Sequence, residues 1–362
     1  MRRMRKLAFG LLLLPLACSF PVSAQIWSVV NNAGSSNLRG VSVARVASPG
    51  GGFVLWASGS NGMVLRSIDP GFTDTHDNYV VGLMHVSGGE TLDFRGIRAF
   101  NEKTAYLISS GQGNKSRIYK TTDGGTTWEM QYTDERPAFF LDDIVCFTAT
   151  HCFALGDPID GKFLILSTED GKSWKELPRD NIPAIIPGEG AFAASGTSLA
   201  IYGKSDIYFG TGGGATARVF HSPDLGRTWT VSDTPLAVGN ASSGVFSVVR
   251  VKKSVIAVGG DYKVASGTSR VAAYSRDGGV TWQLASAQPS GYRSAVASIG
   301  GSTLVSIGPN GEDISHDLGV TWTHTDAINL NAVGVLDDKN AWAVGARGAI
   351  ARLVDHDTKK PR

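Results

Sequence analysis

Charged residues recur at one place in a repeated segment. Leu38-Arg39-Gly40-Val41, Phe94-Arg95-Gly96-Ile97, Leu141-Asp142-Asp143-Ile144, Tyr292-Arg293-Ser294-Ala295 and Leu330-Asn331-Ala332-Val333 each open a short apolar run with a polar second residue. Gly190-Ala191-Phe192-Ala193 and Gly244-Val245-Phe246-Ser247 have the same outline without the charge. If these openings meet at one point, Arg39, Arg95, Asp142, Glu189 (just before Gly190), Arg293 and Asn331 form a polar ring, with Asp261 on a nearby turn. Arginine suits carboxylate, sulfate or phosphate, because its planar fork makes two parallel bonds to such anions. A pair of carboxyl groups, from Asp142, Asp157 and Glu189, or a tyrosine such as Tyr262, Tyr202 or Tyr292 beside an acid, would suit glycoside hydrolysis instead. The same ring also suits a channel whose polar residues bond only water and neighbouring segments.

The elements that would position this ring are legible from a second repeat. Ser222-Pro223-Asp224-Leu225-Gly226-Arg227-Thr228-Trp229 recurs as Ser275 to Trp282 and Ser315 to Trp322. Thr121 to Trp128 substitutes Thr for the first Ser, Ser167 to Trp174 places Glu169 at the acidic position, and Ser67 to Asp74 lacks the Trp. Copies about 40 to 55 residues apart mean one supersecondary unit used repeatedly. Asp69, Asp123, Glu169, Asp224, Asp277 and Asp317 are therefore expected to be structural. Each carboxylate can accept backbone N–H bonds across a turn whose Gly takes a positive φ.

Between the boxes, short β-branched and aromatic runs alternate with Gly turns, and no segment keeps a helical period. Four strands per unit and seven units predict an all-β fold, a single seven-bladed β-propeller over residues 25–354. The seventh unit stops at Val354 without its Trp strand, and Ile26-Trp27-Ser28-Val29-Val30 reads as that strand. The N-terminal strand would then close the last blade and leave no open sheet edge. Asp74 to Gly89 reads as an inserted surface loop, and 355–362 as a tail.

Met1 to Ala24 has a basic start, an apolar stretch over Leu7 to Leu16 and a small-residue cleavage site, Val22-Ser23-Ala24. It reads as a secretory signal peptide, so the mature chain is expected to be exported, periplasmic or secreted. The whole chain has 34 basic and 32 acidic residues. Loss of Arg2, Arg3, Arg5 and Lys6 leaves 30 against 32, which removes any case for nucleic acid as a partner. No other apolar run is long enough for a membrane span. Cys146 and Cys152 flank a plausible hairpin turn at Thr148 to Thr150, and an oxidising compartment favours a disulfide over a metal pair with too few ligands. No cofactor or metal is expected: the histidines are scattered and Gly210 to Gly214 opens no helix. Nothing points to an oligomer, so a monomer is expected.

The octapeptides resemble the Asp-box (BNR) motif of sialidases and related propellers. Ala341-Trp342-Ala343-Val344-Gly345-Ala346-Arg347-Gly348-Ala349-Ile350-Ala351 is similar to the repeat of the photosystem II assembly and stability factor family. The resemblance spans nearly all of the mature chain and rests on scaffold residues. It implies boxes on the face away from the functional one, and a non-catalytic scaffold for a protein, peptide or glycan. The sialidase likeness implies an alternative, a glycosidase in which Arg39, Arg95 and Arg293 stand for the arginine triad. Sialidases have six blades, and this chain reads as seven.

Overall fold

The second strand of the first unit, Phe53–Gly59, is buried at every position. So is its counterpart Ala105–Ser109, and Asn340–Gly345 is buried at all but its first residue. Continuous burial means both faces are covered, which is the condition of a strand inside one blade of a stack. The computed structural model describes residues 26–32, 34–47, 51–69, 82–326, 328–338 and 340–354. Within these, seven antiparallel sheets of four strands each form seven blades. The innermost strands are Leu38–Arg45, Phe94–Ala99, Leu141–Thr148, Leu199–Tyr202, Ser243–Val251, Ala295–Gly300 and Leu330–Asp337. Each touches the next around a ring, and the seventh touches the first. The expected signal peptide, residues 70–81 of the first box and loop, and the expected tail fall outside the described residues.

The ring closes as its ends suggest. Ile26–Asn32 pairs antiparallel with Ala349–Val354 as the outer strand of blade seven. Trp27 is buried there among Ile299, Val305, Leu330 and Val333, residues of blades six and seven. Other box tryptophans do the same between neighbouring blades. Trp174 meets Tyr106 edge-on at 5.9 Å, and Trp128 meets Trp56 at 6.0 Å.

The boxes are hydrogen-bonded turns. In blade five the Ser275 hydroxyl donates to Asp277 at 2.7 Å, while Thr281 donates to the same carboxylate through its N–H at 2.9 Å and its hydroxyl at 2.6 Å. Asp123, Asp224 and Asp317 are bonded alike. The Thr127 and Thr281 hydroxyls and N–H groups hold Asp123 and Asp277 down at about 2. Gly279 (φ 96°) supplies the left-handed residue that the turn requires.

Three expectations need correcting. In blade three the box carboxylate is Asp170, not Glu169: Thr168 donates to Asp170 at 3.0 Å, and the Lys172 and Ser173 N–H groups donate to it at 2.8 Å. This box is one residue shorter, so alignment from the first Ser misplaces the acid. Glu169 lies at the surface, 3.8 Å from Lys175. Blade four begins its inner strand at Leu199, not at Gly190. Part of the supposed Asp74 to Gly89 loop is structure: Gly82–Met84 is the fourth strand of blade one.

Cys146 and Cys152 stand opposite each other across the hairpin and are joined by a disulfide. Reduction, or Cys152→Ser, should cost about 2 kcal/mol for a loop this small. Trp27→Ala should cost about 3–5 kcal/mol by emptying a packed site between blades. Urea unfolding at matched pH measures both, and a Trp27→Ala midpoint equal to wild type would contradict the closure.

Candidate functional site

Five inner strands carry the same irregularity near their start. The pairing register slips between Leu38 and Gly40, Phe94 and Gly96, Leu141 and Asp143, Val245 and Ser247, and Leu330 and Ala332. The extra residues are Arg39, Arg95, Asp142, Phe246 and Asn331. A β-bulge breaks the alternation of a strand and re-aims one side chain. All five line one cavity of about 600 Å³ at the mouth of the channel. First and third strands run away from this mouth, so the boxes lie on the opposite face.

Arg293 is not part of this set. Gly308 faces the Tyr292 carbonyl as Gly59 faces that of Asn37 and Gly345 that of Asn329. This register makes Arg293 the counterpart of Leu38 and Leu330, and Ser294 the counterpart of Arg39. Ser294 lines the cavity; Arg293 is fully buried. Its guanidinium is bonded to Asp313, to Ser290 at 2.6 Å and to Asn310 at 2.7 Å. The alignment of Tyr292-Arg293 with Leu38-Arg39 is therefore off by one residue.

Glu189 is likewise spent on structure. Its carboxylate pairs with Arg218 and accepts from Thr211 at 2.5 Å and from the Ile186 N–H at 3.0 Å. Asp261 turns to Ser242 at 2.7 Å and Asn240 at 2.9 Å, and does not line the cavity. Tyr202 lies under Arg250, with the guanidinium 4.5 Å from the ring.

In place of a normal blade-four strand start, residues 190–198 cross the channel. Arg95 donates to the Ala193 carbonyl at 2.9 Å, and Arg98 holds the Gly196 carbonyl. Ser195 donates to the Ser294 carbonyl at 2.8 Å, and Ser247 to the Thr197 hydroxyl at 2.8 Å. Leu199 N–H donates to the buried Asp143 at 2.9 Å. Blades two, three, five and six thus hold one plug. It floors the upper cavity and roofs a second, about 430 Å³, lined by Val145, Ile201, Val248, Val296 and Val335.

The upper cavity is uneven in charge. Asp93 binds the Arg95 guanidinium at 2.7 and 2.8 Å. Arg39 has no such acid: its Nε is buried without a partner, and burial with the Arg95 charge holds its pKa below the ordinary value. Asp142 is 1% exposed and neither oxygen has a hydrogen-bond partner. Burial, then the Asp157 and Asp143 carboxyls, raise it well above the ordinary range against the pull of Arg95. Burial also raises Asp157, whose bond from the Ala191 N–H (3.1 Å) opposes the shift. Asn331 is tied to Asn37 at 2.6 Å.

Aromatic rings form the remaining wall. Phe192 of the plug stacks on Phe246 at 3.8 Å; Tyr292 meets Phe246 edge-on at 4.8 Å, and Tyr262, 49% exposed, stands at the rim. Phe246 is absent from the sequence-based ring because that ring is built from polar side chains, although it shares the strand position of Arg39. Among the described residues, no group of three or more His, Cys, Asp or Glu could hold a metal ion, and no helix is long and apolar enough to cross a membrane.

A raised carboxyl weakens folding above the unfolded pKa of an aspartate, because the unfolded chain ionises more readily. Asp142→Asn should therefore stabilise the fold at pH 7, by about 1.4 kcal/mol for each unit by which the folded carboxyl's pKa exceeds that of the unfolded chain. The gain should shrink toward pH 3, where both states are protonated. Thermal unfolding at the two pH values measures it, and a destabilised variant at pH 7 would show that the carboxylate is bonded.

A BNR/Asp-box repeat profile matches residues 273–284. A comparison with curated protein sequences finds no match. Among solved structures, YCF48 bound to a D1 peptide superposes with a TM-score of 0.61 at 14% identity, covering 91% of this chain and 96% of that one. YCF48 from Cyanidioschyzon merolae gives the same score and identity over 90% and 98%. BamB from Moraxella catarrhalis gives 0.50 at 11% identity over 90% and 85%. At these identities the likeness is one of fold. With its closed ring and its repeated Asp-box turns, one of which matches the BNR/Asp-box repeat profile, the chain is a seven-bladed β-propeller.

Proposed function

We propose that the protein is an exported, non-catalytic scaffold that binds a segment of another protein in the upper cavity. The observation that carries this reading is Arg39, a guanidinium without an acid partner beside a row of aromatic rings. A cavity with apolar walls and a few oriented polar groups is the common form of a ligand site. Arg39 supplies a fork for a carboxylate or similar anion, and the rings supply area at low entropic cost. A YCF48 structure of the same fold holds a D1 peptide, which favours a peptide over a glycan. Export is supported by the Met1 to Ala24 pattern and by the Cys146–Cys152 disulfide.

A second reading has one observation in its favour. Asp142 and Asp157 line the same cavity and both have raised pKa values, as the acid of a glycosidase requires. The arginine triad of the sialidase version does not form, because Arg293 is buried against Asp313.

Peptides selected on the immobilised protein from a random display library should lose at least ~tenfold affinity for Arg39→Ala, about 1.4 kcal/mol. They should bind Arg276→Ala, altered on the box face, as they bind wild type. Selected peptides indifferent to Arg39 would count against the cavity as the binding site. Turnover of aryl glycosides that disappears in Asp157→Asn would replace the scaffold reading with the enzymatic one.

A further inference from the structure

Asp142 is the strangest polar group in the molecule. It sits at a bulge that turns its side chain toward the cavity, it is 1% exposed, and neither carboxyl oxygen has a hydrogen-bond partner. Burying a carboxyl group without partners is costly, and native proteins bond such groups almost without exception. Its surroundings aggravate the cost. Asp143 follows it in the chain, and Asp157 lines the same wall. The Arg95 guanidinium is already bound to Asp93 and to the plug carbonyl of Ala193. The plug residues 190–198 bring no titratable side chain to the place.

A fold can remove this cost at no loss to itself: a hydrophobic residue of similar size would fill the site. The group makes sense where something else completes its bonding. The missing partner must donate hydrogen bonds and carry positive charge, because two carboxyl groups face the same space. Phe192 stands next to Ala191, whose N–H makes the one bond to Asp157, and its ring stacks on Phe246. Acid oxygens beside aromatic faces are the setting in which an ammonium group is held, by charge and by the ring quadrupole together.

We propose that the Asp142–Asp157 side of the cavity binds a primary ammonium group, carried by a lysine side chain or a free amino terminus of the bound segment. This rests on the scaffold reading above and adds a second pole to it. Arg39 lies at the other pole, where its charged neighbours are Arg95 and Asp93 rather than the two acids. The cavity then recognises a segment with a cationic and an anionic group at different points.

The charge of Asp142 follows from occupancy. Empty, the carboxyl is pushed toward its protonated form by burial, then by Asp157 and Asp143, with only Arg95 opposing. Binding an ammonium ion ionises it and releases its proton to solvent. Affinity should therefore rise with pH by up to ~tenfold per unit while the free carboxyl stays protonated.

The test uses the full protein and two probes: Gly-Lys-Gly blocked at both ends, and the same peptide acetylated on the lysine Nζ. Ligand-observed NMR should give binding of the first, at least ~tenfold weaker binding of the second, and proton release with the first only. Asp142→Asn should bind both as weakly as wild type binds the acetylated peptide, while its thermal midpoint stays at or above that of wild type. Asp142→Ala is the second variant should the amide disturb the wall. Equal binding of the two peptides, unchanged binding by both Asp142 variants, or no binding of the lysine peptide at tens of millimolar would each overturn the proposal. Display-selected peptides that need Arg39 but ignore Asp142 would sink the ammonium site and leave the scaffold reading standing. Lysine peptide binding that needs Asp142, with no peptide dependent on Arg39, would do the reverse.

Discussion

The antiparallel pairing of Ile26–Asn32 with Ala349–Val354 is the constraint on which the rest of the molecule depends. It joins the two ends of the described chain in one sheet and thereby fixes the circumference of the ring. Seven wedges then have one arrangement in which every inner strand touches two others. Only in that closed state do residues as far apart in sequence as Arg39 and Asn331 line the same space. Trp27, packed between blades six and seven, gives the closure an apolar contribution beyond its backbone bonds.

The inner strands solve a second problem. A regular inner strand would send its side chains alternately toward the two neighbouring blades, with only its edge along the channel. One added residue near the start of five strands breaks the alternation where it is useful. The apolar residue before the bulge (Leu38, Phe94, Leu141, Val245 or Leu330) stays in the core, and the next residue turns to the channel mouth. Blade four abandons the pattern, and its freed segment becomes the plug. Backbone carbonyls in that segment need donors inside the ring, and Arg95 and Arg98 provide them.

The two faces treat carboxylates in opposite ways. On the box face Asp123, Asp170, Asp224, Asp277 and Asp317 each accept several short bonds from their own turns, so ionisation is favoured and the group serves the fold. On the cavity face Asp142 accepts none, and Asp157 accepts one. Burial opposes the ionisation of both, and at Asp142 the Asp157 and Asp143 carboxyls add to it against the pull of Arg95. A residue type that stabilises the turn at one end of a blade is a liability to stability at the other, and that contrast singles out the cavity face as the one shaped by something other than folding.

The architecture was legible in the sequence because it rests on repetition. Box spacing, strand-like runs and the missing last strand are local signals, and each copy corroborates the others. The position of Arg39, Arg95, Asp142 and Asn331 on one ring was legible for the same reason. Arg293, Glu189 and Glu169 were misplaced because a single-residue offset or a shortened box leaves no mark in composition, yet decides which way a side chain points. Asp313 and Arg218, which take up Arg293 and Glu189, are 20 and 29 residues away along the chain. The sequence by itself determined the number of blades, the closure and the chemical types at the channel mouth, since these follow from local pattern and periodicity. Only the tertiary structure decided which charges are neutralised, where the plug runs and that Asp142 has no partner, because pairing is set by contacts between distant segments.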